Sequence, residues 1–226
     1  MKITRVSAQV RDTSTAAEFF DNVLGLAVES VSGAAVVRIG TTLLELVENP
    51  EAEGDHHFAV NVPTNKFAEA KLWLLKRTVL LGTVETDEFE CSPTWNARSL
   101  YFAGPDRSVL ELIIRRDLDN ATPGPFSSDD LLCISEVGVA SPDVLALATF
   151  LTEAADVPSY GADPESFFSP VGDTDGLLIL VSPGRAWFPT TDRLATTSPI
   201  SIDATGHRSG VFSLGVGGTL HIRPSS

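Results

Sequence analysis

The chain has 226 residues, enough for one large domain or two small ones around a sizeable core. Its net charge of −14, spread along the chain, repels nucleic acid and anionic membrane and speaks against both as partners. No apolar run reaches the roughly 18 residues needed to span a bilayer, and no apolar stretch of the kind a signal peptide carries follows the opening Met1-Lys2-Ile3-Thr4-Arg5. Cys91 and Cys133 make no disulfide framework and read as buried free thiols of a reducing compartment, which points to a cytoplasmic location.

In chain order the elements repeat. Residues 3–10 read as a strand closed by Asp12. Ser14 or Thr15 then caps a helix whose apolar positions Ala16, Phe19, Phe20, Val23 and Leu24 fall at helical spacing, and Gly25 ends it. Short strands follow at 27–31, 34–39 and 42–47, with turns at Ser32-Gly33 and Gly40. After the acidic loop 48–55 the order recurs: a strand at 57–62, a helix at 66–75, and strands at 84–91, 97–102 and 108–114, the last two joined by Gly104-Pro105-Asp106. A third copy follows residues 119–130, which are rich in Pro, Gly, Ser and Asp. It has a strand at 134–140, a helix at 145–155 opened by Ser141-Pro142-Asp143, and strands at 166–171 and 176–181. A fourth copy, with short strands at 200–202, 210–214 and 219–222, leaves no room for a helix.

The fold class is therefore α+β, with four tandem βαβββ modules, the last shortened, forming paired and curved mixed sheets around a cavity. By linker composition the chain divides into a first domain over 1–117 with two modules, a linker over 118–130, and a second domain over 131–226 with one full and one eroded module.

Two segments carry a resemblance. The helix ending Phe19-Phe20-Asp21-Asn22-Val23-Leu24-Gly25-Leu26, and the closing segment from Tyr101-Phe102-Ala103-Gly104-Pro105-Asp106 to Glu111-Leu112, resemble the vicinal oxygen chelate superfamily. This superfamily includes glyoxalase I, extradiol ring-cleaving dioxygenases and bleomycin resistance proteins. The resemblance covers most of the chain, is strongest over 1–117, and implies metal ligands on the first and last strand of each module. Carried over residue by residue, the ligand places fall on Arg5 and Glu45 in module one and on His57 and Glu111 in module two. In module three they fall on Glu136 and near Ile179 or Leu180, and in module four near Ile200 and on His221. Arginine cannot ligate a cation. Pairing of modules one and two gives Arg5, Glu45, His57 and Glu111. Pairing of modules two and three gives His57, Glu111 and Glu136, one imidazole and two carboxylates with open positions. The second pairing is favoured, because a carboxylate at 136 in an otherwise apolar strand needs a compensating cation or donor.

The resemblance implies one divalent ion, Zn, Ni, Mn or Fe(II), on His57, Glu111 and Glu136. It implies a glyoxalase-like lyase or isomerase, or a ring-cleaving dioxygenase, acting on a small oxygenated substrate as a monomer or homodimer. Tyr101 stands where extradiol enzymes keep a tyrosine near the substrate, although the acid–base histidine expected just before Leu100 is missing. Trp95, Asn96 and Arg98 sit where a loop enters a strand at the expected rim, suited to stacking a planar substrate and binding its oxygens. Residues 184–189, Gly-Arg-Ala-Trp-Phe-Pro, cover the cavity or fill the space of the missing fourth helix. The alternative is a metal-free binding protein of the bleomycin-resistance type, in which an arginine such as Arg98 or Arg5 meets Glu136 or Glu111.

Overall fold

The computed structural model describes residues 1–31, 33–53 and 55–225; Ser32, expected at a turn, and Gly54, within the acidic loop, lie outside the described residues. Module one is β1 (Lys2–Val10), α1 (Thr13–Glu18), β2 (Val28–Val31), β3 (Ala34–Ile39) and β4 (Thr42–Glu48). The cap of α1 is Asp12, earlier than the expected Ser14 or Thr15. Its backbone is still extended, and its carboxylate accepts from the N–H groups of Ser14 (2.9 Å) and Thr15 (3.1 Å). The helix runs on through a π-helical turn over Phe19–Val23.

Module two is β5 (His57–Asn61), α2 (Phe67–Leu75), β6 (Leu80–Leu81), β7 (Phe89–Glu90), β8 (Ala97–Ala103) and β9 (Val109–Arg115). The strand expected over 84–91 shrinks to β7. Thr83 organises a turn instead: its N–H donates to the Thr86 carbonyl (2.9 Å) and its hydroxyl accepts from the N–H groups of Glu85 and Thr86, both at 3.2 Å. This local bonding outweighs the strand preference of Val84, which is left exposed. Module three is β10 (Cys133–Ala140), α3 (Val144–Ala155), β11 (Phe168–Asp173) and β12 (Gly176–Val181). Module four is β13 (Ile200–Gly206), β14 (Gly210–Ser213) and β15 (Thr219–Pro224).

The modules pair out of sequence order. The first sheet runs β14-β15-β13-β1-β4-β3-β2 and the second β11-β12-β10-β5-β9-β8-β6, with β7 on β8. Modules one and four thus join through the antiparallel pair β1–β13, and modules two and three through β5–β10. Residues 118–130 connect β9 to β10, two strands of the same sheet, so that segment does not separate two sheets.

One apolar core serves both sheets. Val6, Ala8, Leu44, Leu46 and Ile202 face it from the first sheet, and Phe58, Val60, Leu110, Leu112 and Val137 from the second. The buried faces of all three helices complete it, with Leu147, Ala148 and Leu151 contributed by α3. The sheets meet closely where their interior strands β1, β4 and β10 begin: the Thr42 hydroxyl donates to the Ile3 carbonyl (3.0 Å) and accepts from the Ile134 N–H (3.1 Å). Gly40 lies in the same seam with φ +52°, where a Cβ would stand 2.0 Å from the Leu132 carbonyl oxygen.

A bulge decides what the other face of the second sheet carries. In β10, Ile134 opposes Val60 and Glu136 opposes Ala59, so two steps on one strand match one on the other. Strict alternation would put Ile134 and Glu136 on one face. The extra residue changes the phase: Ile134 and Val137 both join the core, while Glu136 turns to the opposite face.

Candidate metal centre and its cavity

That opposite face encloses a cavity of about 220 Å³. His57 enters it from β5, Tyr101 from β8, Glu111 from β9, Glu136 from β10, and Phe168 and Ile179 from β11 and β12. Arg185, Trp187 and Phe188, from the connection after β12, line the rest with Cys91 and Trp95. Another space, bounded by Phe20, Phe58, Trp73, Phe102 and other core side chains, is apolar throughout and holds no chemistry.

His57, Glu111 and Glu136 converge. One ligand atom from each lies within 4.8 Å of the other two, and all three side chains are buried. The strand geometry explains this: β5 is flanked by β9 in parallel and β10 antiparallel, which puts Ala59 between Glu111 on one side and Glu136 on the other. His57, two residues back on β5, shares their face. Its Nδ1 lies 3.1 Å from the Val109 carbonyl oxygen. A carbonyl only accepts, so Nδ1 carries the hydrogen and Nε2 presents its lone pair to the cavity.

The electrostatics of this cluster are unbalanced. Burial pushes His57 down to about 4, so the ring is neutral. Burial, with the Glu136 charge beside it, pushes Glu111 up to about 8, against the nearby Ser99 and Tyr101 hydroxyls and the Arg115 charge. His57 Nε2 and Glu111 Oε2 face each other at 3.5 Å. Two lone pairs in that position repel unless a proton or a metal cation stands with them. Burial raises Glu136 as well, offset by the guanidinium of Arg115, whose Nη2 donates to Glu136 Oε1. With both carboxylates ionised and only Arg115 against them, the cluster is one positive charge short. A divalent cation fits these donors: an imidazole nitrogen and two carboxylates, buried and lacking positive charge.

The aromatic walls are organised around the same histidine. The Trp187 ring stacks on His57 with centroids 5.1 Å apart, and Phe188 meets Tyr101 edge-on at 5.4 Å. Gly138 makes room for the Trp187 ring, since a Cβ there would stand 2.5 Å from Trp187 Cη2 and 3.1 Å from His57 Cβ. Burial and the charge of Glu111 hold the Tyr101 phenol well above its ordinary value, so it keeps its proton.

Of the residues singled out in the sequence, His57, Glu111, Glu136, Tyr101 and Trp95 line one cavity. Asn96 and Arg98 do not. Asn96 Nδ2 donates to Asp117 (2.7 Å), and Arg98 pairs with Glu88 and Glu90 while lying over the Phe67 ring. Parity accounts for Arg98, because Ala97, Ser99 and Tyr101 take the cavity side of β8. Arg5 pairs with Glu45 (2.7 Å) on the first sheet. The arginine that does meet Glu136 is Arg115, which the sequence reading passed over. A signal was available, since Arg115 lies four residues beyond Glu111 in one strand and so shares its face.

No protein-family profile matches the chain, and no curated protein does. Solved structures do. A Bacillus subtilis protein named "putative dioxygenase" superposes with a TM-score of 0.63 at 15% identity, covering 100% of this chain and 86% of its own. Glyoxalase I from Zea mays gives a TM-score of 0.52 at 16% identity, covering 89% of this chain and 74% of its own, and a variant of the maize enzyme gives 0.54 at 17%. The chain therefore shares its fold with these proteins, a glyoxalase I among them, which is the fold that the resemblance of the two sequence segments implied. Among the described residues, no helix is long and apolar enough to cross a membrane.

Proposed function

We propose that this chain is a metal-dependent enzyme of the vicinal oxygen chelate type, acting on a small substrate with adjacent oxygens by lyase or isomerase chemistry or by ring cleavage. The observation that carries the reading is the convergence of His57 with the Glu111 and Glu136 carboxylates in an aromatic-walled cavity, where Arg115 is the one cation paired with either carboxylate among the described residues. A divalent ion bound there supplies Lewis acidity toward a developing oxyanion.

The chain's own groups do the rest. The Val109 carbonyl fixes the His57 tautomer, and Trp187 holds the ring plane. Arg115 keeps Glu136 oriented through its hydrogen bond and is itself held by Asn61 Oδ1 at 3.3 Å. Tyr101, protonated beside Glu111, offers an O–H donor to a substrate oxygen. The packed walls reduce water around whatever is bound.

Metal content of protein purified without a histidine tag tests this by plasma mass spectrometry. About one equivalent of a transition metal is expected, lost in His57→Ala; less than about a tenth of an equivalent after reconstitution would sink the reading.

The Arg115–Glu136 pair favours a second reading, a metal-free binding protein in which arginine takes the place of the cation. His57→Ala then leaves ligand affinity unchanged.

A further inference from the structure

The metal reading leaves one charged cavity group unused. Arg185 lines the cavity half-buried, and among the described residues no carboxylate pairs with it and its guanidinium makes no hydrogen bond. This is not for want of acids, which outnumber bases 30 to 16. Arg5, Arg11, Arg98, Arg107, Arg115 and Arg116 all have acidic partners.

The backbone that presents Arg185 is pinned. Its N–H donates to the Ser182 carbonyl (3.2 Å) and its carbonyl accepts from the Ala195 N–H (2.8 Å), while the Gly184 N–H donates to the Ala195 carbonyl (2.8 Å). The guanidinium rests over the Phe168 ring, 4.9 Å from its centroid, which steers it without neutralising it. Burial alone lowers its affinity for a proton. A half-buried, unpaired guanidinium on a pinned backbone is a ready carboxylate site, because part of its desolvation is already complete before an anion arrives.

The surrounding walls narrow the class. Phe168, Trp187, Phe188 and Tyr101 present ring faces and edges to the same space. We infer that the cavity takes a small aromatic carboxylate, its ring against these side chains and its carboxylate on Arg185. This rests on the same cavity as the proposed enzyme and names its substrate class. The substrate oxygens that would meet the metal are then distinct from the carboxylate that Arg185 holds.

Calorimetric titration of chelator-stripped protein with benzoate and with benzamide, its neutral isostere, tests this without turnover. Benzoate is expected to bind at least about tenfold more tightly, a charge-assisted pair against a neutral one. Arg185→Gln should abolish the preference and Arg185→Lys keep part of it, with metal uptake in both as in the unaltered chain. Equal affinities, no benzoate binding, or a preference surviving Arg185→Gln would overturn the assignment. So would a preference that appears only after zinc is added and ignores Arg185→Gln, because the carboxylate would then sit on the metal. A chain that takes up no metal yet loses its benzoate preference in Arg185→Gln discards the metal reading and keeps this one.

Discussion

The two sheets are built from the same module and use their outer faces differently. Their registers correspond. In the first sheet β1 bulges after Ile3 and brings Arg5 opposite Asp203, as β10 bulges after Ile134 and brings Glu136 opposite Ala59. Arg5 thus occupies the position of Glu136, Ser201 that of His57, His221 that of Glu111, and Glu45 that of Ile179. On the first sheet these positions are all partly exposed. Arg5 and Glu45 satisfy each other at 2.7 Å with side chains 40% and 24% exposed. On the second sheet Arg115 and Glu136 are 0% and 3% exposed, beneath the segment that carries Arg185, Trp187 and Phe188. The scaffold alone does not make a site. A cover that removes water turns an ordinary set of polar side chains into a buried one whose charges are costly to leave uncompensated.

The largest expected difference between the faces lies in their ion pairs. Arg115→Ala should destabilise the fold by about 3–5 kcal/mol in a denaturant titration, because it leaves Glu136 buried without its cation. Replacing Arg115 and Glu136 together with apolar residues should recover most of that loss; failure to recover would mean that Arg115 acts chiefly by packing.

Gly138 sharpens the contrast at one position. Gly138→Ala drives a methyl into the Trp187 ring and should cost about 1–3 kcal/mol, with a change in tryptophan emission as the ring leaves His57. Its counterpart Ser7, on the partly exposed face, should tolerate alanine within about 0.5 kcal/mol.

Proton linkage separates the faces more gently. Glu111 is raised to about 8 in the fold from an ordinary 4.5, so its contribution is full below pH 4.5 and is lost as pH rises through 8. His57, lowered to about 4 from 6.5, works in the opposite sense but only below pH 6.5. Metal-free protein should therefore lose about 1–2 kcal/mol between pH 6.5 and 8, and Glu111→Gln should flatten the curve. A flat profile in the unaltered chain would contradict the burial argument. The smallest effect belongs to the first sheet: Arg5→Ala should change stability by less than about 1 kcal/mol and less still in high salt.

Much of this was legible in the chain because it is local. The strand–helix alternation, the helix stop at Gly25 and the parity of β9 follow from periods of 2 and 3.6 and from turn chemistry, whereas the cap of α3 is Asp143, so that Pro142 precedes the cap instead of standing near the first helical position. His57, Glu111 and Glu136 could be named because the resemblance implies ligands at fixed places in each module. Arg98 was read as a rim residue together with Tyr101, yet the two stand three residues apart in one strand, so alternation puts Arg98 on the face away from the cavity.

Module count and strand order within modules are thus properties of the sequence alone, since each depends on residues a few positions apart, while the three ligand candidates came from the resemblance laid onto those modules. The tertiary structure decided that module two closes with module three and module one with module four. It also decided that Arg115 meets Glu136, that Trp187 lies on His57, and that Arg185 is left unpaired. The physical reason is the same in each case. These outcomes join segments tens of residues apart, and they depend on which faces lose water together, a quantity no local period encodes.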